Sequence, residues 1–167
     1  MFHLRFPLAG VPHWAGRYNY PGENTIAAEL APARDRGYLT HDELVALGRW
    51  KAARNTSRLA ANDPAYVEAV TAVALSTANE RLRIEILTLL RGVGWPMASV
   101  ILHWRHRDPY PVLDYRALWS LSVDPPPRYS FPLWRDYTHF CRALAGRAGV
   151  SLRDLDRALW QYSWEKQ

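Results

Sequence analysis

Two short stretches hold most of the residues that could do chemistry. The first is Gly92-Val93-Gly94, set inside "LLRGVGWPMASVIL". Glycine reaches backbone angles closed to other residues and lets a ligand approach the main chain. A valine between two glycines can anchor the turn between two helices, so that the turn amides and the start of the next helix face outward. Such a helix start favours an anion, phosphate above all. An ordinary tight turn between helices would use the same residues, and on the triplet alone both readings stand. The second stretch is Asp114, which follows the proline-rich "RDPYPVL" and opens "YRALWSL". Out of context, an aspartate there is a helix N-cap.

Other candidates are weaker. "GRWKAARN", residues 48–55, carries Trp50 and Lys51 among arginines. The chain has 19 arginines and two lysines, so Lys51 is the one lysine away from the C-terminus. A basic helix end favoured by the macrodipole explains this stretch without any ligand. His103 and His106 stand three apart on a helical stretch. Catalytic zinc needs three protein ligands and an open position; no third ligand is in view, so both read as surface histidines. His139 and Cys141 share a helix without a nucleophile signature. Cys141 is the only cysteine, which rules out an internal disulfide and any four-cysteine zinc or iron–sulfur site.

The elements that must position these residues read as helices. The 167 residues are 49% apolar, too many for a disordered chain. "MFHLRFPLAG" lacks the apolar core of a signal peptide, and no stretch approaches a membrane span. The expectation is a soluble, cytoplasmic monomer. A net charge of +5 suits a polyanionic partner as well as an ordinary basic protein. Eight tryptophans and nine tyrosines serve first as core and second as surfaces on which bases can stack. Residues 1–21, with Pro7, Pro12 and Pro21, read as an irregular arm. Thr40 and Glu43 form a capping box, Asp63-Pro64 an N-cap with a first-turn proline, and Thr77 with Glu80 a second capping box. A helical pair covers about 81–106 around the glycines, a short helix about 114–122, and two amphipathic helices about 131–164. The first of those two is expected to end at Gly146 and the second to be capped by Ser151. The aromatic run "YSFPLWRDYTHF" has the spacing of core. The fold class is all-α, about seven helices in a single compact unit over residues 1–167, with no iron–sulfur cluster.

In combination these stretches resemble the helix-hairpin-helix DNA glycosylases, the superfamily of endonuclease III and its relatives. The residues that carry the resemblance are Leu90, Gly92, Val93, Gly94, Ala98, Val100, Ile101 and Leu102, then Pro109, Pro111 and Asp114, with Asp114 18 residues after Pro96 as in endonuclease III. It is specific over residues 86–120. The resemblance implies double-stranded DNA as partner, with phosphate held by backbone contacts at Gly92, Val93, Gly94 and Met97. It implies Asp114 as the catalytic carboxylate, stabilising positive charge on the sugar as the N-glycosidic bond breaks. Trp50 could then stack on an extruded base, Lys51 reach phosphate or sugar, and Tyr115 narrow the base pocket or pack in the core. No cofactor is implied beyond a monovalent cation on the carbonyls of Thr88, Leu90 and Val93. Where bifunctional relatives carry a Schiff-base lysine this chain has Pro96, so the implied activity is monofunctional base excision in DNA repair. A non-catalytic DNA-binding module and an abasic-site lyase using Lys51 are the alternatives. An alkylated cationic purine suits the aromatic content; 8-oxoguanine, uracil and mismatched thymine also remain open.

Overall fold

Short polar residues start most of the long helices in the computed structural model, which describes residues 2–167 apart from the side chain of Arg34. The elements are α1 (Val11–Arg17), α2 (Glu23–Leu30), α3 (Ala33–Arg36), α4 (His41–Ala52), α5 (Thr56–Ala60), α6 (Pro64–Ser76), α7 (Glu80–Leu87), α8 (Trp95–Arg105), α9 (Tyr115–Ser120), α10 (Phe131–Ala148) and α11 (Leu152–Lys166). No strand occurs among the described residues, as the all-α expectation required. No helix among them is long and apolar enough to cross a membrane.

Thr40 closes the capping box with Glu43 at the start of α4, Asp63 caps α6, and Ser151 caps α11, each accepting from an amide three residues on. Two boundaries differ from expectation. Asn79, not Thr77, caps α7; the Thr77 hydroxyl instead accepts from the Asn79 amide at 3.2 Å. Helix α10 runs through Gly146 and stops at Gly149, whose φ of +65° is open to glycine at little cost.

The helices group into two compact units: residues up to Asn19 with Pro109–Gln167, and Tyr20–Asp108. In the first, α10 and α11 bury Trp134, Tyr137, Cys141, Leu155 and Leu159 completely. The arm that read as irregular contains α1, with Pro12 in its first turn where a missing amide costs nothing. Its leading segment finishes α9: His3 and Arg5 donate backbone amides to the carbonyls of Leu121 and Ser120, both at 2.9 Å. The Arg5 guanidinium lies 4.4 Å over the Trp119 ring. An arginine is thereby brought to the negative end of the helix that Asp114 starts.

In the second unit, α4, α6, α7 and α8 bury Leu44, Leu47, Val67, Ala74, Ile84, Leu87, Val100 and Ile101. Helix α5 lies directly on α4 at Gly48, where an added Cβ would collide with the Leu59 Cδ1. That contact matters because the residues flanking α5 reach the glycine hairpin.

Candidate functional site

The hairpin belongs to the second unit. Helices α7 and α8 meet across residues 88–94, as the sequence implied. Val93 is buried and anchors the turn. The two glycines do different things. Gly92 has φ +81°, and an added Cβ would press on Asn55, Leu59 and Arg58 at 3.1–3.2 Å. Gly94, at φ −96° and ψ −177°, is in extended backbone that any residue can adopt. A Cβ there would meet only a Pro96 ring carbon, at 3.9 Å. Of the two, only Gly92 uses backbone angles closed to other residues. Gly94 leaves open space on the outer side of the turn.

Two asparagines that sequence reasoning missed hold the hairpin. Asn62, buried after α5, accepts from the Arg91 amide at 2.8 Å and donates to the Arg91 carbonyl at 3.0 Å. Asn55, at the start of α5, donates to the Gly92 carbonyl. The turn's carbonyls and amides are thus fixed from one side, while no acceptor among the described residues takes the amides of Gly92, Gly94, Trp95 or Met97. Pro96 contributes no amide, and the Met97 side chain is buried beneath the helix start. An open polar depression includes Asn55, Arg58, Thr88, Arg91, Gly92 and Gly94 in its wall. Arg58 and Arg91 are exposed beside it. Free amides, a helix N-terminus and two guanidinium groups make this a place for an anion.

The carbonyls of Thr88, Leu90 and Val93 belong to the same loop, and all three residues line the depression, which has no carboxylate in its wall. The Leu90 carbonyl already accepts from the Val93 amide at 3.1 Å. Neutral backbone oxygens without a carboxylate suit a weakly held monovalent ion better than a divalent one.

Asp114 belongs to the first unit. It caps α9 with extended backbone, its Oδ1 accepting from the Ala117 amide at 2.9 Å, and it is half-buried. Its carboxylate has two tyrosines in its field. Burial and then the Asp114 charge raise the Tyr129 phenol above its ordinary pKa. The fully buried Tyr137 phenol is raised well above its own, mainly by burial, with Cys141, Asp156 and Asp114 adding to it. Tyr129 lies in the proline-rich loop before α10, and nothing in its local sequence marks it as a neighbour of Asp114. Tyr115 is 49% exposed with the Arg116 guanidinium 5.0 Å over its ring, which removes the core-packing reading.

Trp50, half-buried at the end of α4, stands edge-on to Tyr20 and Trp104, with ring centroids 5.5 and 5.6 Å away. Its carbonyl accepts from the Tyr20 hydroxyl at 2.9 Å. The cluster borders an open cavity of about 520 Å³ that Ile26 and Arg49 also line. Lys51 is half-buried on the same helix end. His106 corrects the surface-histidine reading. It is buried at the end of α8, and burial, then the Arg83 guanidinium, lowers its pKa. Cys141 is fully buried and its thiol is pushed well up by burial, so the thiolate a nucleophile needs is disfavoured.

No family model and no curated protein sequence matches this chain. Solved structures do. The chain is similar to the 8-oxoguanine glycosylase/lyase of Methanocaldococcus jannaschii, in complex with a 15mer DNA containing 8-oxoguanine, with a TM-score of 0.53 and 18% identity. That match covers 95% of this chain and 81% of the enzyme. It is also similar to the 8-oxoguanine DNA glycosylase of Thermotoga maritima, with a TM-score of 0.51 and 17% identity, over 93% of this chain and 77% of that one. Identity this low speaks to fold. The chain has the all-helical fold of these glycosylases.

Proposed function

We propose that the protein is a monofunctional DNA glycosylase that acts as a monomer on double-stranded DNA. The observation that carries the reading is Asp114. It is a half-buried carboxylate at the start of α9, in a chain with a glycosylase fold and a helix-hairpin-helix 18 residues upstream as measured from Pro96.

Strand phosphates lie against the amides of Gly92, Gly94 and Met97, with Arg58 and Arg91 alongside, and hold register without reading sequence. One nucleotide leaves the stack. As the N-glycosidic bond breaks, its electron pair goes to the base and positive charge develops on the sugar. The Asp114 carboxylate stabilises that charge and orients water. The water oxygen bonds to the sugar carbon, a proton ends on the departing base, and an abasic site remains in an intact strand. A monovalent cation at Thr88, Leu90 and Val93 would add positive charge beside the phosphate. Pro96 offers no amine for a Schiff base. The first lesion to test is 8-oxoguanine, named for both matching enzymes; alkylated purines come second because cationic bases favour aromatic surroundings.

The test is base release from duplexes carrying 8-oxoguanine, alkylated purines, uracil or mismatched thymine, with Asp114→Asn in parallel. Release by the wild type and a loss of several orders of magnitude in the variant, at unchanged DNA affinity, is expected. Duplex binding without release of any base would leave a DNA-binding module instead.

A further inference from the structure

The chain leading into Asp114 is buried without being helical. Tyr110, Pro111, Val112 and Leu113 are all buried, yet residues 109–113 belong to no helix. Buried backbone outside a helix or sheet must find its hydrogen bonds elsewhere. Prolines at 109 and 111 remove two donors from that account. Side chains from the last two helices meet three of the groups that remain. The Val112 amide donates to both carboxylate oxygens of Asp156 on α11, at 3.2 and 3.1 Å. The Val112 carbonyl accepts from the Tyr137 hydroxyl on α10, at 2.8 Å. Just upstream, the Pro109 carbonyl accepts from the Arg142 Nε at 2.9 Å.

We infer that Asp156 and Tyr137 are positioning residues for Asp114: they grip both polar groups of the Val112 peptide and so fix where the carboxylate two residues on is presented. This inference rests on the proposed function. Three features separate the grip from ordinary core polarity. Both side chains are buried, with Tyr137 fully enclosed. Both act on the same residue, from positions 44 and 25 residues away. The far end of the gripped segment is Asp114, whose Oδ1 takes the Ala117 amide. The segment is therefore held at Val112 and again at the start of α9, with only Leu113 between. A carboxylate displaced by about 1 Å from the reacting sugar costs about a hundredfold in rate, so a grip at this place bears on chemistry more than on DNA binding. Asp156 and Tyr137 do not touch the substrate in this account.

The experiment compares wild type, Tyr137→Phe and Asp156→Asn. Phenylalanine keeps the ring in its cavity, and asparagine keeps one acceptor oxygen while losing the charge. Three readouts are taken: single-turnover base release, affinity for duplex, and hydrogen exchange of the Val112 and Asp114 amides by NMR. The expected result is a fall of about tenfold or more in release by each variant, affinity within about twofold, and faster amide exchange confined to residues 110–115. Folded variants with the wild-type release rate would overturn the inference. So would parallel loss of rate, affinity and protection across the whole first unit, because that is the signature of a merely structural role. If Asp156→Asn does not fold, Tyr137→Phe alone decides. If the wild type releases no base, the proposed function fails, and amide exchange still decides whether these side chains hold the Asp114 segment: local deprotection in the variants supports the grip, and unchanged exchange refutes it.

Discussion

At Gly94 the backbone is extended and an added Cβ meets nothing of the protein closer than 3.9 Å, whereas Gly92 is left-handed and crowded by Asn55, Leu59 and Arg58. The two positions therefore separate stability from binding. Gly94→Val should leave unfolding by urea within about 0.5 kcal/mol of wild type, since no intramolecular contact is strained. The same change should weaken duplex binding by about tenfold or more, because the β-branched side chain fills the side from which a phosphate would approach the amides. Gly92→Val should instead cost about 1–2 kcal/mol or more, the usual penalty for forcing a side chain into left-handed backbone. Anisotropy titrations and urea melts on the two variants check this. Equal affinity of Gly94→Val and wild type would remove the hairpin from the site. A similar separation applies at Asp114, where the carboxylate is both cap and proposed catalyst. Asparagine caps a helix as well as aspartate does, so Asp114→Asn should melt near wild type, while Asp114→Ala should lose about 1 kcal/mol. Both should lose base release alike.

Helix α5 supplies Arg58 to the proposed phosphate site, and its flanks hold the hairpin through Asn55 and Asn62. Asn62→Ala strands the amide and carbonyl of Arg91, and a buried group left without its partner costs about 1–3 kcal/mol. The expected outcome is a lower urea midpoint with faster hydrogen exchange at residues 90–94; exchange unchanged there would show that the hairpin stands without this support. The base of the hairpin carries a pH dependence. His106 at the end of α8 is buried near Arg83 of α7, and its folded pKa is depressed, with Asp108 and Glu80 opposing the shift. The unfolded chain therefore takes up the proton first. Stability from this group is full above about pH 6.5 and is lost as pH falls toward the folded value, at no more than about 1.4 kcal/mol per pH unit. His106→Asn, which keeps an acceptor for the Asp108 amide, should flatten the urea midpoint between pH 7 and pH 5; an unchanged slope would place the titration elsewhere. The caps Thr40, Asp63, Asp114 and Ser151 were legible in the sequence because a cap is decided within four residues. Asn62, Asn55 and Asp156 were not, because each meets its backbone partner 29 to 44 residues away and has no local signature. His106 read as surface for the same reason: what buries it lies on another helix.

Over the whole chain, the restriction that most narrows the proposed chemistry is the supply of amines. The basic charge is carried by 19 arginines, which stay protonated and make poor nucleophiles, against Lys51 and Lys166. Lys166 ends α11 with its ammonium 5.9 Å over the Trp14 ring. The hairpin position that would carry a Schiff-base amine is Pro96, in the first turn of α8. The similar M. jannaschii enzyme is a glycosylase/lyase, so strand cleavage by this chain has to be measured and not taken from its fold. In this chain excision should stop at the abasic site. Labelled strands should remain intact after base release and break only on later treatment with alkali, and borohydride should trap no protein–DNA complex. Lys51→Ala should retain the single-turnover rate and at most lose affinity, by a factor that shrinks as salt rises, as one phosphate contact predicts. The opposing result is a borohydride-trapped complex that forms with the wild type and vanishes in Lys51→Ala. It would make Lys51 a nucleophile, turn the protein into a lyase, and leave Asp114 as a partner in that chemistry instead of its sole catalytic group.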